Sequence, residues 1–489
     1  MSAVGSRAVE APPGQERADQ PPPQAPIGAP PGGRWGDRPG GRPEPWLAPL
    51  LRRLHWLAGV LVGPFILVAA LSGAAYALAP SVEQVLYRDA LTAPAEGEPL
   101  PLAEQVRIAQ QAAGGASLSA LRPAPEPGAT TRVLFADEGL VDSESRAIFV
   151  DPVSGEVRGD MTVYGTSGSL PLRTAIDHFH RGLGLGEVGR LYSELAASWL
   201  GIVVLAGVGL WIGKWRTGRR RRDLVRPDRS ATGVRRLHTW HASLGIWLAL
   251  GALFLSATGI TWSQLAGANV TELRAALGWS TPSVSTALEG DGGAGDEHSD
   301  HGAATAAADV DPARFDEVLA VARSENVNVG LVEIRPPADA QSAWVVQEIQ
   351  RSFPTEVDSV AVDGATLAVV DRVDFADFGL IPKLARWGID LHMGSMFGLP
   401  NQLVLAALAL GIATMVALGM RMWWRRGPYG RPGAPPEAGA LARAPWWGIA
   451  AVVAVGAAVG LLLPLVGWGL LGFVVIDGVL VAARTRTRV

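Results

Sequence analysis

Apolar runs long enough to cross a bilayer alternate along this chain with long polar segments. A helix needs about 20 mainly apolar residues to traverse the hydrocarbon core. Stretches near 55–79, 195–213, 241–263 and 400–420 meet that length. A further run from 446 to 483 is broken near its middle by Pro464-Leu465-Val466-Gly467-Trp468-Gly469, which predicts a tight helical hairpin and six spans in all. The placement of Lys and Arg orients the spans. The loop Lys214–Arg236 carries ten basic residues against Asp223 and Asp228; Arg421, Arg425, Arg426 and Arg431 follow the fourth span, and Arg484, Arg486 and Arg488 close the chain. These segments and both termini are therefore expected in the cytoplasm, in a multi-pass protein of the inner or plasma membrane. Trp211, Trp215, Trp423 and Trp424 stand where interfacial anchors belong.

The two long segments, about 80–190 and 264–390, then lie outside. In the first, Leu102–Ala109 has helical spacing and is followed by alternating strands such as Arg132–Phe135 and Arg146–Val150. Asp151-Pro152-Val153-Ser154-Gly155-Glu156-Val157 reads as a turn between two strands. A second copy follows at about 311–375, with a helix at Phe315–Arg323, strands near Gly330–Ile334 and Ser342–Ile349, and a hairpin around Ser359–Val373.

Composition changes this picture mainly by exclusion. With 18% charged residues and a net charge of −4, nothing favours nucleic acid as a partner. The chain has no Cys, which rules out disulfides, thiolate-bound clusters, thiolate-ligated haem and thiol catalysis. Residues 1–46 are rich in Pro and Gly and are expected to be a disordered tail.

The order of span, small α+β segment, span pair, second α+β segment and span resembles the PepSY-associated transmembrane family, with Val150–Val157 looking like the end of a PepSY domain. The resemblance covers roughly residues 50–430. It implies a first span in 47–80, an extracytoplasmic PepSY-like domain in 81–172, and two spans with a basic loop in 173–263. A second such domain in 264–385, a fourth span in 386–426, a linker in 427–445 and the hairpin in 446–489 complete the expected order. The expected fold is a mainly α membrane protein: a four-helix haem-binding bundle plus a C-terminal hairpin, with two extracytoplasmic α+β PepSY-like domains. The resemblance also implies a membrane oxidoreductase that reduces a ferric siderophore or another extracytoplasmic acceptor. The alternative is a non-enzymatic PepSY membrane protein that binds or restrains an extracytoplasmic protein such as a peptidase.

Six of the eight histidines stand at the edges of the first four spans, where imidazoles are costly unless they have a role. His55 and His241 align spans one and three, matching Gly59 to Gly245 and Ser72-Gly73 to Thr258-Gly259. His180, Gly182 and Gly186 match His392, Gly394 and Gly398 at spans two and four. Two imidazoles on facing helices are what a six-coordinate haem b requires. His55 with His241, and His180 with His392, are therefore expected to ligate the irons of two haems, one near each membrane face. Gly59, Gly245, Gly182 and Gly394 are expected to leave room for the porphyrins, and His178 and His238 serve as backup ligands. Arg52, Arg53, Arg181, Arg235 and Arg236 are candidates for the propionates. Electrons would come from a cytoplasmic reductase or the quinol pool, since no nicotinamide or flavin motif is present; Gly184–Gly189 fits the dinucleotide fingerprint but follows a helical segment rather than a strand. His298, Asp300 and His301 lie in a Gly/Asp-rich linker, Glu289–His301, and Asp477 stands alone in the last apolar run with no evident role.

Overall fold

The computed structural model describes residues 46–94, 96–137, 139–141, 143–218, 221–288, 310–427 and 432–486. The tail up to residue 45 and the linker with His298, Asp300 and His301 lie outside the described residues.

The first apolar run forms two helices, α1 (Leu47–Leu61) and α2 (Gly63–Leu86). They join at Val62, just before Pro64, whose ring lacks the N–H that would bond to Val60. After the short α3 (Arg88–Leu91), α4 (Leu102–Ala113) precedes strands β1 (Ser117–Arg122), β2 (Thr131–Ala136), β3 (Glu144–Val150) and β4 (Val157–Tyr164). Helices α5 (Pro171–Gly182), α6 (Gly186–Thr217), α7 (Gly233–Ile260) and α8 (Leu265–Ala276) follow. The second copy runs through α9 (Arg314–Glu325), β5 (Val332–Arg335), β6 (Trp344–Glu348), β7 (Ser359–Val362) and β8 (Val369–Val373) to α10 (Leu380–His392) and α11 (Gly398–Arg425). Helices α12 (Trp446–Leu462) and α13 (Pro464–Arg486) close the chain.

Among the described residues five helices are long and apolar enough to cross a membrane: α2, α6, α7, α11 and the stretch Pro464–Ala483 of α13. The sixth expected span, α12, has 17 residues, about 25 Å at the helical rise and so short of a bilayer core of about 30 Å. The hairpin itself is tight. Gly460 and Gly467 let the two helices touch backbone to backbone, and Pro464 starts α13 at the position where its missing N–H costs least.

The two long polar segments do not form separate sheets. They contribute four strands each to one eight-stranded antiparallel sheet, ordered β4-β3-β2-β1-β5-β6-β7-β8. The join is β1 on β5, at Leu121 opposite Ile334. Beside it Arg122 reaches Glu333 at 2.6 Å, both buried. Helices α4 and α9 supply Val106, Ala109, Phe315 and Val318 to one hydrophobic core shared by both halves. The Asp316 carboxylate of α9 accepts the Leu102 and Ala103 N–H groups at the start of α4, where a negative charge also complements the helix dipole.

An internal repeat underlies this layout. The sequence separation that relates α4 to α9 also relates the Asp151 turn to the Asp363 turn, and each Asp accepts N–H groups of its own turn. The position that is Gly155 (φ 74°) in the first copy is Leu367 (φ 59°) in the second, so the left-handed turn is kept even without glycine.

The bundle interior is built from small residues, including Ala58, Ala70, Ala196, Ala252 and Ala413, with Trp199 and Ile412 filling the gaps. Asp477 has a partner here. It forms a buried ion pair with Arg53 and accepts the Gly439 N–H at 2.7 Å, while Arg53 also donates to the Pro436 carbonyl. Arg53 is therefore engaged by the C-terminal hairpin rather than free for a propionate. Asp477→Ala strands a buried guanidinium and should cost about 3 kcal/mol. Thermal unfolding in detergent should show a lowered midpoint, largely recovered in the double variant Arg53→Met/Asp477→Leu. An unchanged midpoint for the single variant would show that the pair does not anchor the hairpin.

Candidate functional site

His180 and His392 do not stand at the ends of spans. Each sits near the end of a short amphipathic helix, α5 or α10, that turns sharply into the span after it. Leu183 (φ 54°) and Gly184 make the first turn, and Gly394 (φ 77°) takes part in the second. Gly182 packs on Gly189, where a Cβ would run into the Gly182 carbonyl. Gly182 and Gly394 therefore shape turns and do not face the imidazoles. Gly59 has nothing within 4 Å, and a Cβ at Gly245 would meet the Met415 methyl at 2.9 Å.

The glycines that do face the histidines lie on neighbouring helices. A Cβ at Gly207 would stand 3.0 Å from His55 Cε1, at Gly73 3.1 Å from His180 Cε1, at Gly419 3.7 Å from His241 Cε1 and at Gly259 3.9 Å from His392 Cε1. Each imidazole thus rests on a gap in a helix surface. The repeat relates the four seats: Gly207 stands to Gly419 as His180 stands to His392, and Gly73 to Gly259 as His55 to His241.

A gap of this kind exposes backbone that a side chain would cover. His55 Nδ1 lies 2.9 Å from the carbonyl of Val203, the residue one turn before Gly207. A carbonyl only accepts, so Nδ1 carries the proton and Nε2 is left as a bare lone pair. At the equivalent place stands the carbonyl of Met415, one turn before Gly419 and facing His241, whose buried Nδ1 falls short of a full hydrogen bond. In the other couple the partner is a hydroxyl. Ser72 Oγ donates to the Val68 carbonyl at 2.8 Å and lies 2.9 Å from His180 Nδ1. Thr258 Oγ1 donates to the Phe254 carbonyl at 2.7 Å and lies 2.6 Å from His392 Nδ1. With their protons committed to the helix, both hydroxyls accept from Nδ1–H and again leave Nε2 bare. A neutral imidazole with Nδ1 tied down and Nε2 free is the form that binds a metal.

His55 and His241 face each other with ring centroids 6.0 Å apart and planes at 77°. A metal held between two imidazole nitrogens at about 2 Å from each needs centroids roughly 6 Å apart. His180 and His392 line one cavity of about 230 Å³, walled in the bundle by small residues such as Ala69, Gly73, Ala197 and Gly259. Its polar lining carries Arg181, Arg190, Arg351 and Arg386. Arg351 and Arg386 flank the fully buried Asp390 at 3.4 and 2.9 Å, and Arg181 donates to the Tyr164 hydroxyl at 2.6 Å. Trp262 stands edge-on to His392 at 5.6 Å.

Among the described residues, the other two histidines join neither couple. His178 is partly exposed against Tyr164 and Glu144, and His238 Nε2 contacts Lys214 Nζ at 2.6 Å. Arg235 is paired with Asp228 at 3.1 Å.

This arrangement, membrane-crossing helices joined to a two-part α+β sheet, defines a polytopic membrane protein. The chain belongs to the PepSY-associated TM region family, whose model matches residues 52–426. The C-terminal hairpin lies beyond that match. No curated protein matches the chain significantly.

Proposed function

We propose that this protein is a di-haem membrane electron carrier, with His55 and His241 as axial ligands to one haem b and His180 and His392 to the other. The observation that carries the reading is the repeated seat: four half-buried imidazoles, each over a glycine of a neighbouring helix, three of them with Nδ1 tied to an acceptor and Nε2 bare. Haem b bound at each couple would supply a one-electron carrier near each membrane face. The chain's own work is positional. Helices α1 and α7 bring one pair of rings together, and α5 and α10 set the other two on one cavity. Ser72, Thr258 and the Val203 carbonyl fix tautomer and ring orientation, and the alanine-rich bundle excludes water around the imidazoles.

The basic ends of α6, α7 and α11 support a cytoplasmic side for the His55–His241 end of a protein in an inner or plasma membrane, where a reductase or quinol would donate electrons. The sheet then lies outside, and the four arginines of the His180–His392 cavity outnumber their carboxylate partners Asp177, Glu187 and Asp390 by one, which leaves a net positive charge towards an anionic acceptor. We assign that acceptor to the ferric siderophores or similar iron chelates, whose iron is held less tightly once reduced.

The test is direct. Purified protein reduced with dithionite should be reoxidised by a ferric hydroxamate chelate, with ferrous iron appearing in a chromogenic trap. Colourless protein from haem-supplemented cells would instead favour a PepSY module that binds an extracytoplasmic protein. Removing the orienting hydroxyls is a finer probe: Ser72→Ala or Thr258→Val should weaken haem binding at the outer couple by about 10- to 100-fold. Haem titration of the stripped protein reads that loss.

A further inference from the structure

At the end of the bundle away from the sheet, a cavity of about 430 Å³ opens between α7 and α11. Three guanidiniums converge on it from two helices, Arg236 from α7 and Arg421 and Arg425 from α11. Among the described residues none of the three is paired with a carboxylate. Its wall is apolar and aromatic, made by Leu237, Trp240 and Leu418. The cavity also reaches the first turn of α7, which has no side-chain cap and so presents backbone N–H groups and the positive end of the helix dipole. Its inner lining is level with the His241 seat, since Trp240 and Leu418 directly precede His241 and Gly419, and Arg236 lies more than one turn further out along α7.

A neutral quinol head group has no use for three fixed positive charges. A soluble phosphate has no use for a Trp/Leu wall at membrane depth. Both features suit a molecule with an anionic phosphodiester and acyl chains, and basic pockets between membrane helices commonly take such head groups. We infer that the cavity lined by Arg236, Arg421 and Arg425 binds the head group of an anionic phospholipid, with its chains lying along Leu237, Trp240 and Leu418. This site is independent of whether the histidine couples hold haem.

The experiment is native mass spectrometry of the full chain after delipidation and titration with phosphatidylglycerol or phosphatidylcholine. The wild type should bind phosphatidylglycerol preferentially. In Arg421→Gln/Arg425→Gln that preference should fall roughly thirtyfold, the equivalent of about 2 kcal/mol at about 1 kcal/mol per arginine, with haem content unchanged. Equal retention of phosphatidylglycerol in the variant would overturn the assignment. So would loss of haem without loss of lipid, which would give these arginines to the inner haem's propionates. If the double variant does not fold, the wild type decides alone: its melting point in nanodiscs should rise with phosphatidylglycerol and not with millimolar inorganic phosphate. No rise, or an equal rise with phosphate, would refute a lipid site. Colourless wild-type protein that still prefers phosphatidylglycerol would leave this inference standing while the haem reading fell.

Discussion

His55→Ala and His241→Ala should each leave the protein with one haem of the two, and it should be the same one. The rings face each other at 6.0 Å, so on the proposed reading either substitution would remove one of the two ligands of the same iron. The double variant should lose no more than either single, because residues that act as a unit are grossly non-additive when removed together. His180→Ala and His392→Ala should show the same behaviour for the other haem, and a variant combining one residue from each couple should lose both. The measurement is haem per chain together with the reduced difference spectrum of each variant. Full retention of both haems in all four single variants would eliminate these ligands. His178→Ala and His238→Ala should retain both haems, since neither ring joins a couple.

The second large effect comes from residues that bear no ligand. Gly207→Val puts a branched side chain where even a Cβ would stand 3.0 Å from His55 Cε1. It should force the ring off the Val203 carbonyl and abolish inner haem binding although both histidines remain. Gly73→Val should do the same to His180, where the clearance is 3.1 Å. Gly59→Ala is the contrast: with nothing within 4 Å, it should keep both haems and gain slightly in helix propensity, by up to about 1 kcal/mol. Haem content and thermal midpoint of the three variants separate the two kinds of glycine. Equal haem loss in Gly59→Ala and Gly207→Val would show that the seats lie elsewhere.

The contrast between Gly59 and Gly207 also shows where reading along the chain fails. Membrane character and family were legible, because apolar length and the order of segments are local properties. The close approach of His55 to His241 was legible because the repeat set them in register. Seats are different: a glycine near a histidine in sequence looks available, but the ring turns towards whatever helix packs beside it, and that is a tertiary fact. The signal was present all the same. Ser72-Gly73 already matched Thr258-Gly259 in the alignment of spans, and extending the His180–His392 match further along would have reached Gly207 and Gly419. The single sheet was less accessible, since one short contact between β1 and β5 decides it, across a separation of one whole repeat. The short helices α5 and α10 were hidden for another reason. At the first of them the chain breaks at Leu183, a left-handed residue that is not glycine, so the segment read as continuous with the span.

Haem quantitation on the wild-type chain, combined with electron paramagnetic resonance of the oxidised protein, tests the whole account most directly. Two haems b per polypeptide, both low-spin as two imidazole ligands demand, are the predicted result. A chain that takes up no haem, or whose haem is high-spin with an open axial position, would contradict it.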